Sequence, residues 1–183
     1  SNSFNVGFDN RKAGSKITNE ILKFGHKRIA VITGHTEFND RALDRLNGVR
    51  DAMKSSGISE LNLAIISTTY SLKSGADAFE DFMTRKPRPT VIMCGNDVLA
   101  TGAITRANEM GIKVPYDVSV TGFDDIDLAE VVQPKLTTVH VPHRRMGKSS
   151  AKLLLDILNG KQDCQSLELE IEIVLRQSLG NAF

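Results

Sequence analysis

The sequence predicts an α/β fold: a doubly wound, mostly parallel sheet with helices on both faces. Two observations carry that prediction. Short apolar runs of strand length alternate with helical periods through most of the chain, the pattern of a parallel sheet wrapped on both sides. The stretch Thr90 to Val139 then holds two such strands, Val91–Cys94 and Val118–Thr121, with a helix between them. Each strand runs into polar residues, Gly95-Asn96-Asp97 and Gly122-Phe123-Asp124-Asp125. A helix between two strands makes them parallel, so both carboxyl ends fall on one edge. In open α/β sheets, ligands sit at that edge.

The elements follow in order. Asp9 or Asn10 caps a first helix with an apolar face of Ala13, Ile17, Ile21 and Phe24, ended by Gly25. Arg28 to Thr33 reads as a short buried strand. A second helix, Asp40 to Ser56, repeats apolar positions at Leu43, Leu46, Val49 and Met53 and stops at Gly57. Leu61 to Ser67 is the next strand. A third helix, Leu72 to Thr84, shows Leu72, Ala76, Phe79 and Met83 at helical spacing. Pro87 and Pro89 punctuate the entry to Val91, because proline continues neither kind of element. The helix after Asp97 uses Leu99, Ala103, Ala107 and Met110 and ends at Gly111.

The C-terminal third changes character. Leu136 to Val141 reads as a strand, and Arg144 to Leu158 as a helix with Met146, Ser150, Leu154, Ile157 and Leu158 inward. Leu167 to Leu175 alternates without a break, setting five apolar residues against Glu168, Glu170 and Glu172. It is expected to be one half-exposed strand whose glutamates discourage edge pairing, not a pair of catalytic carboxylates.

Composition narrows the function classes. With 183 residues, 40% hydrophobic and 25% charged, the chain suits a soluble globular domain with its own core. Lys and Arg total 23 against 22 Asp and Glu, so no basic excess marks nucleic-acid binding by this chain. Aromatic content of 5% with no Trp argues against a base-stacking platform. Cys94 and Cys164 read as reduced thiols, and neither a signal segment nor a membrane-length apolar run is present, so a cytoplasmic location is expected. The phosphate-binding glycine motifs and the serine-nucleophile elbow are missing. The 4 histidines read as surface or capping groups. The acidic run Asp124 to Asp127 lacks the phosphate-handling partners of a Mg²⁺ site. No catalytic residue, metal or cofactor is expected.

What remains is a set of hydrogen-bonding residues at strand ends. Asn96 offers donors and acceptors, and an ionised Asp124 offers acceptors only. Arg45, on the helix after Thr33-Gly34, adds a planar donor fork, and Tyr70 follows its strand as an aromatic floor. Each has an ordinary structural alternative: Asp97 and Asp124 as helix caps, Arg45 as a surface ion pair. Four converging on one rim favour a small ligand rich in hydroxyls or ring nitrogens.

These residues sit in motifs that resemble the ligand-binding region of the LacI/GalR-type family, the lactose-repressor and purine-repressor transcription regulators of bacteria. The matching segments are GFDNRKAG from Gly7, GHKRIA from Gly25, RLNG from Arg45, GNDVLATG from Gly95, VPYDVSVTGFDD from Val114 and PKLTTV from Pro134. The helix Met146 to Gly160 matches as well. The resemblance implies a two-lobed, periplasmic-binding-protein-like ligand domain, a homodimer, and a helix-turn-helix headpiece that alone touches operator DNA. A small-molecule effector binds between the lobes. By motif position, Arg45, Asn96 and Asp124 resemble the family's polar ligand contacts, and Tyr70 its aromatic one. Asn39 and Arg41 fall where specificity contacts vary, and Asp9 near the lobe crossover.

On this resemblance, residues 1–140 and 165–183 are expected to form the C-terminal lobe. Residues 141–164 are expected to be a returning strand and helix belonging to an N-terminal lobe outside the chain. The stripe of Met146, Leu154, Ile157 and Leu158 is then expected to be partly exposed or packed elsewhere, with the chain associating through it or folding it back, and ligand affinity is expected to be weakened. A sugar effector is favoured over a nucleobase, since an Arg-Asn-Asp set around a ring suits vicinal hydroxyls. The alternatives are a sugar-binding protein of a transport system, a purine- or nucleoside-responsive regulator, and, third, an enzyme of the doubly wound class.

Overall fold

Alternation along the strands sorts their side chains onto two faces, and that sorting builds two cores. The computed structural model describes residues 4–161 and 163–182, so Ser1 to Ser3 of the expected 1–140 segment lie outside the described residues, as do Gln162 and Phe183. In chain order the elements begin with β1 (Val6–Gly7), α1 (Asn10–Lys23), β2 (Ile29–Thr33), α2 (Asp40–Ser55) and β3 (Leu63–Ser67). They continue with α3 (Leu72–Thr84), β4 (Val91–Cys94), α4 (Asp97–Glu109), β5 (Ser119–Thr121) and α5 (Leu128–Val131). The last are β6 (Thr138–His140), α6 (His143–Leu158), β7 (Leu167–Glu168) and β8 (Glu172–Val174).

The central sheet runs in the order β3-β2-β4-β5, with every pair parallel. Ile29, Val31, Val91 and Met93 face α1 and α2, meeting Ile17, Ile21, Leu46 and Met53. Ala30, Ile32, Ile92 and Cys94 face α3 and α4, meeting Phe79, Phe82, Leu99 and Ala103. The two flanking helix pairs lie close enough that glycine is required at their crossings. A Cβ on Gly14 or Gly48 would overlap the backbone carbonyl of Arg45 or Arg11, and one on Gly75 or Gly102 that of Leu99 or Leu72. The expected doubly wound sheet with helices on both faces is therefore present. Among the described residues no helix is long and apolar enough to cross a membrane.

The C-terminal third departs from its sequence pattern. Leu167 to Leu175 is not one strand. Leu167 and Leu169 donate their amides to Asn5 and Gly7, making β7 parallel to β1, whereas β8 pairs antiparallel with β6. Leu169 and Ile171 are buried across the gap, so the in-out alternation continues while the pairing partner changes. Periodicity reports which side faces inward, not which strand lies alongside. In α6 the expected inward set is also corrected: no residue of the helix is fully buried. Met146 packs partly against the α1–α2 core, while Leu154, Ile157 and Leu158 are exposed, as the resemblance implied. Leu43, Leu72 and Met110 likewise lie at helix edges and are exposed.

His26 is another correction. It is buried at the amino edge of the sheet, with Nε2 2.9 Å from the Gly180 carbonyl oxygen and Nδ1 2.9 Å from Thr90 Oγ1. Burial lowers its pKa, with the hydrogen bond to Gly180 opposing. A depressed histidine pKa means the unfolded chain binds the proton more readily. Its contribution to stability is therefore complete above the unfolded pKa of about 6.5 and is lost as pH falls below that value. Melting temperature is expected to drop more steeply between pH 7 and 5 in the wild type than in His26→Gln. Parallel profiles would contradict this.

Candidate functional site

Every β-to-α connection of the central sheet opens on the same carboxyl edge, and there the chain forms a cleft of about 550 Å³. Asn39, Arg41, Arg45, Tyr70, Asn96 and Asp124 all line it. Helix starts position several of them. Asn39 caps α2 by accepting from the Ala42 amide at 3.0 Å, and Asn96 caps α4 by accepting from the Leu99 amide at 2.9 Å. Capping uses the carboxamide oxygen of each and leaves the amino group as a donor for the cleft. Arg41 stands one helical turn before Arg45 and is exposed, with no ion pair among the described residues.

Arg45 is no surface ion pair. Its Nε donates to Asn10 Oδ1 at 2.8 Å and its Nη1 to the Gly95 carbonyl at 2.9 Å. The guanidinium lies 3.8 Å above the Phe123 ring, which in turn stacks on Phe8 with centroids 6.0 Å apart. A planar cation over an aromatic face is a favourable, rigid arrangement. Burial lowers the Arg45 pKa and the nearby charge of Asp124 opposes that shift. Tyr70 is half-exposed at the rim, with its ring against Gly34, where a Cβ would overlap it.

Asp124 does not cap a helix. Its backbone sits at φ +104°, followed by Asp125 at φ +57°. The first of these lies in a region that non-glycine residues rarely adopt. The Asp124 amide donates to the Val139 carbonyl at 2.9 Å, and the carboxylate lies 3.9 Å from His143 Nε2. Burial raises the Asp124 pKa, with Arg45 and then His143 opposing. Asp125 points away from the cleft, pairing with Arg176 Nη2 at 2.7 Å and His140 Nδ1 at 2.9 Å.

Sequence reasoning missed several of these groups. Phe123 stood inside the strand-end motif, and its position between Gly122 and Asp124 was the available signal. Phe8 and His143 reach the cleft from segments remote in sequence, and no local pattern marks them. Asp97, read as a cap, is fully buried and binds the loop after β5 and strand β6 instead: Oδ2 accepts from the Ile126 amide at 2.8 Å and Oδ1 from Thr138 Oγ1 at 2.6 Å. Asp9 does not reach the cleft. It caps α1 through the Lys12 amide at 2.9 Å and lines a separate pocket with Glu168.

The cleft thus combines two carboxamide amino groups, two guanidinium groups, the carboxylates of Asp40 and Asp124 and the His143 imidazole, with Phe8, Phe38 and Tyr70 as its aromatic lining. It is equipped to hold a small polar molecule by directed hydrogen bonds. Among the described residues no three His, Cys, Asp or Glu side chains gather as metal ligands.

Comparison with known proteins gives the same architecture a lineage. Residues 18–179 match the periplasmic binding protein-like domain family. The HTH-type transcriptional repressor PurR of Photobacterium profundum is 35% identical over 173 residues, which are 93% of this chain and 52% of that protein. PurR of Klebsiella pneumoniae is 37% identical over 175 residues, 94% of this chain and 51% of that protein. The chain spans about half the length of these curated relatives. Among solved structures, a LacI family transcriptional regulator from Enterococcus faecium with bound ribose superposes with a TM-score of 0.90 at 28% identity. That match covers 97% of this chain and 65% of the regulator. A complex of the transcriptional regulator CelR with cellobiose gives 0.83 at 30% identity, covering 94% of this chain and 53% of CelR. The chain belongs to the family of periplasmic binding protein-like domains, and its likeness within that family is to LacI-type transcription regulators.

Proposed function

We propose that this chain is the effector-sensing region of a bacterial DNA-binding repressor of the LacI type. A small metabolite, preferably a sugar, occupies the cleft and controls operator binding by a headpiece carried elsewhere in the polypeptide. The protein acts in the cytoplasm as a homodimer and is not an enzyme. The observation that carries this reading is the convergence of Asn39, Arg41, Arg45, Tyr70, Asn96 and Asp124 on one cleft at the carboxyl edge of a parallel sheet. Ribose and cellobiose in the similar regulators support a sugar. Residues 141–164 belong, on this reading, with a second lobe that closes the cleft. The absence of any fully buried residue in α6 supports that assignment.

A purine effector is the second reading, favoured by the PurR relatives. Calorimetry of the intact protein with D-ribose, cellobiose and adenine separates the two. One class is expected to bind and to alter operator affinity in a gel-shift assay. Binding without any effect on DNA would instead favour a transport-type binding protein, and turnover of a bound probe would overturn the regulator reading.

A further inference from the structure

We propose that Asp97 is a positioning residue for the cleft: its buried carboxylate holds the Asp124–Asp125 turn in its left-handed conformation and thereby sets Asp124 in the cleft wall. This rests on the reading that Asp124 contacts the effector.

Asp97 begins α4, yet neither of its oxygens serves its own helix. One accepts from Ile126 N in the loop after β5, the other from Thr138 Oγ1 on β6, and the Asp97 amide itself donates to the Phe123 carbonyl at 2.9 Å. A single residue therefore ties three segments together around Asp124 and Asp125. Those two residues have φ +104° and +57°, conformations that persist in non-glycine residues only where the surroundings impose them. Gly122 belongs to the same device, because a Cβ there would overlap Asp97 Oδ1. From the far side, Asp125 is held by Arg176 and His140, and Arg176 Nη1 also donates to the Leu136 carbonyl at 2.9 Å. The turn is clamped between a buried carboxylate and a largely buried ion pair.

The charged and titratable groups around Asp97 are Asp124 and Asp125 on the turn and Cys94 at the end of β4. Burial pushes the Asp97 carboxyl up to about 6; Thr138 and Ile126 oppose this, and the two neighbouring aspartates add to it. Protonation leaves the geometry available, since the acid donates to Thr138 Oγ1 while its carbonyl oxygen still accepts from Ile126. Asparagine offers the same pair of contacts; valine offers neither.

The test is carbon-13 titration of the Asp124 carboxyl by NMR in the full chain, without ligand. Burial, Arg45 and His143 govern the Asp124 pKa, so its value reports where that carboxylate sits. In the wild type and in Asp97→Asn the Asp124 pKa is expected to stay above the ordinary carboxylate value. In Asp97→Val it is expected to fall toward that value as the turn relaxes into solvent. Thr138→Val, which loses one of the two contacts, is expected to shift it less in the same direction, and serves alone if Asp97→Val does not fold. Affinity of the intact protein for D-ribose should fall about tenfold in Asp97→Val and hold in Asp97→Asn. An unchanged Asp124 titration in a folded Asp97→Val or Thr138→Val overturns the positioning role. A shifted titration in an intact protein that binds none of D-ribose, cellobiose and adenine supports that role and overturns the effector reading.

Discussion

Alanine at Gly48 is expected to lower the stability of this chain by about 3 kcal/mol, and alanine at Gly102 by a similar amount. A Cβ at Gly48 would overlap the Arg11 carbonyl, and one at Gly102 the Leu72 carbonyl. Backbone atoms of a neighbouring helix cannot rotate aside as a side chain does, so each helix pair must separate. At the α1–α2 crossing that separation reaches the cleft. The carbonyl of Arg45 itself sits against Gly14, and the Arg45 guanidinium spans from Asn10 to Gly95. Gly48→Ala should thus weaken effector binding as well as stability, whereas Gly102→Ala should act mainly on stability. Gly147 on exposed α6 is the control, because a Cβ there would meet nothing within 4 Å. Gly147→Ala should gain roughly 0.5–1 kcal/mol from helix propensity alone. Urea denaturation of the three variants measures all of this, and a Gly48→Ala midpoint equal to wild type would refute the close-packing account.

The second large effect is at Arg45. Lysine there keeps the charge but is expected to cost about 100-fold in effector affinity. The guanidinium donates in two directions at once, to Asn10 and Gly95, while sitting 3.8 Å over the Phe123 ring. An ammonium has neither the span nor the flat face. Calorimetry with the sugar or purine that binds the wild type gives the measurement. An Arg45→Lys protein that binds within about threefold of wild type would show that simple charge at this position is sufficient.

Much of the fold was legible in sequence because its elements are strongly periodic. The third helix, Leu72–Thr84, and the strand Val91–Cys94 have the bounds their spacing and punctuation predict. That several candidates would share one rim was legible for a related reason: Tyr70, Asn96 and Asp124 stand just beyond strand ends and Arg45 on the helix that follows one, and a parallel sheet sends those ends to one edge, whereas Asn39 and Arg41 were placed by the family resemblance. What could not be read depends on partners distant in the chain. His26 looked like a helix-end cap until the C-terminal segment brought Gly180 against it. Phe8 and Phe123 looked like unremarkable apolar residues until they stacked beneath Arg45.

The sequence alone determined the alternation of strands and helices, the faces they bury and the edge on which the polar residues gather, since these follow from local spacing and chain direction. Only the tertiary structure decided that Leu167 to Leu175 divides between two partners, that Asp97 serves the neighbouring loop instead of its own helix, and that Asp124 is held at φ +104°. Side-chain alternation is a property of one segment, whereas hydrogen-bond partnership and imposed backbone strain are properties of the segments that surround it.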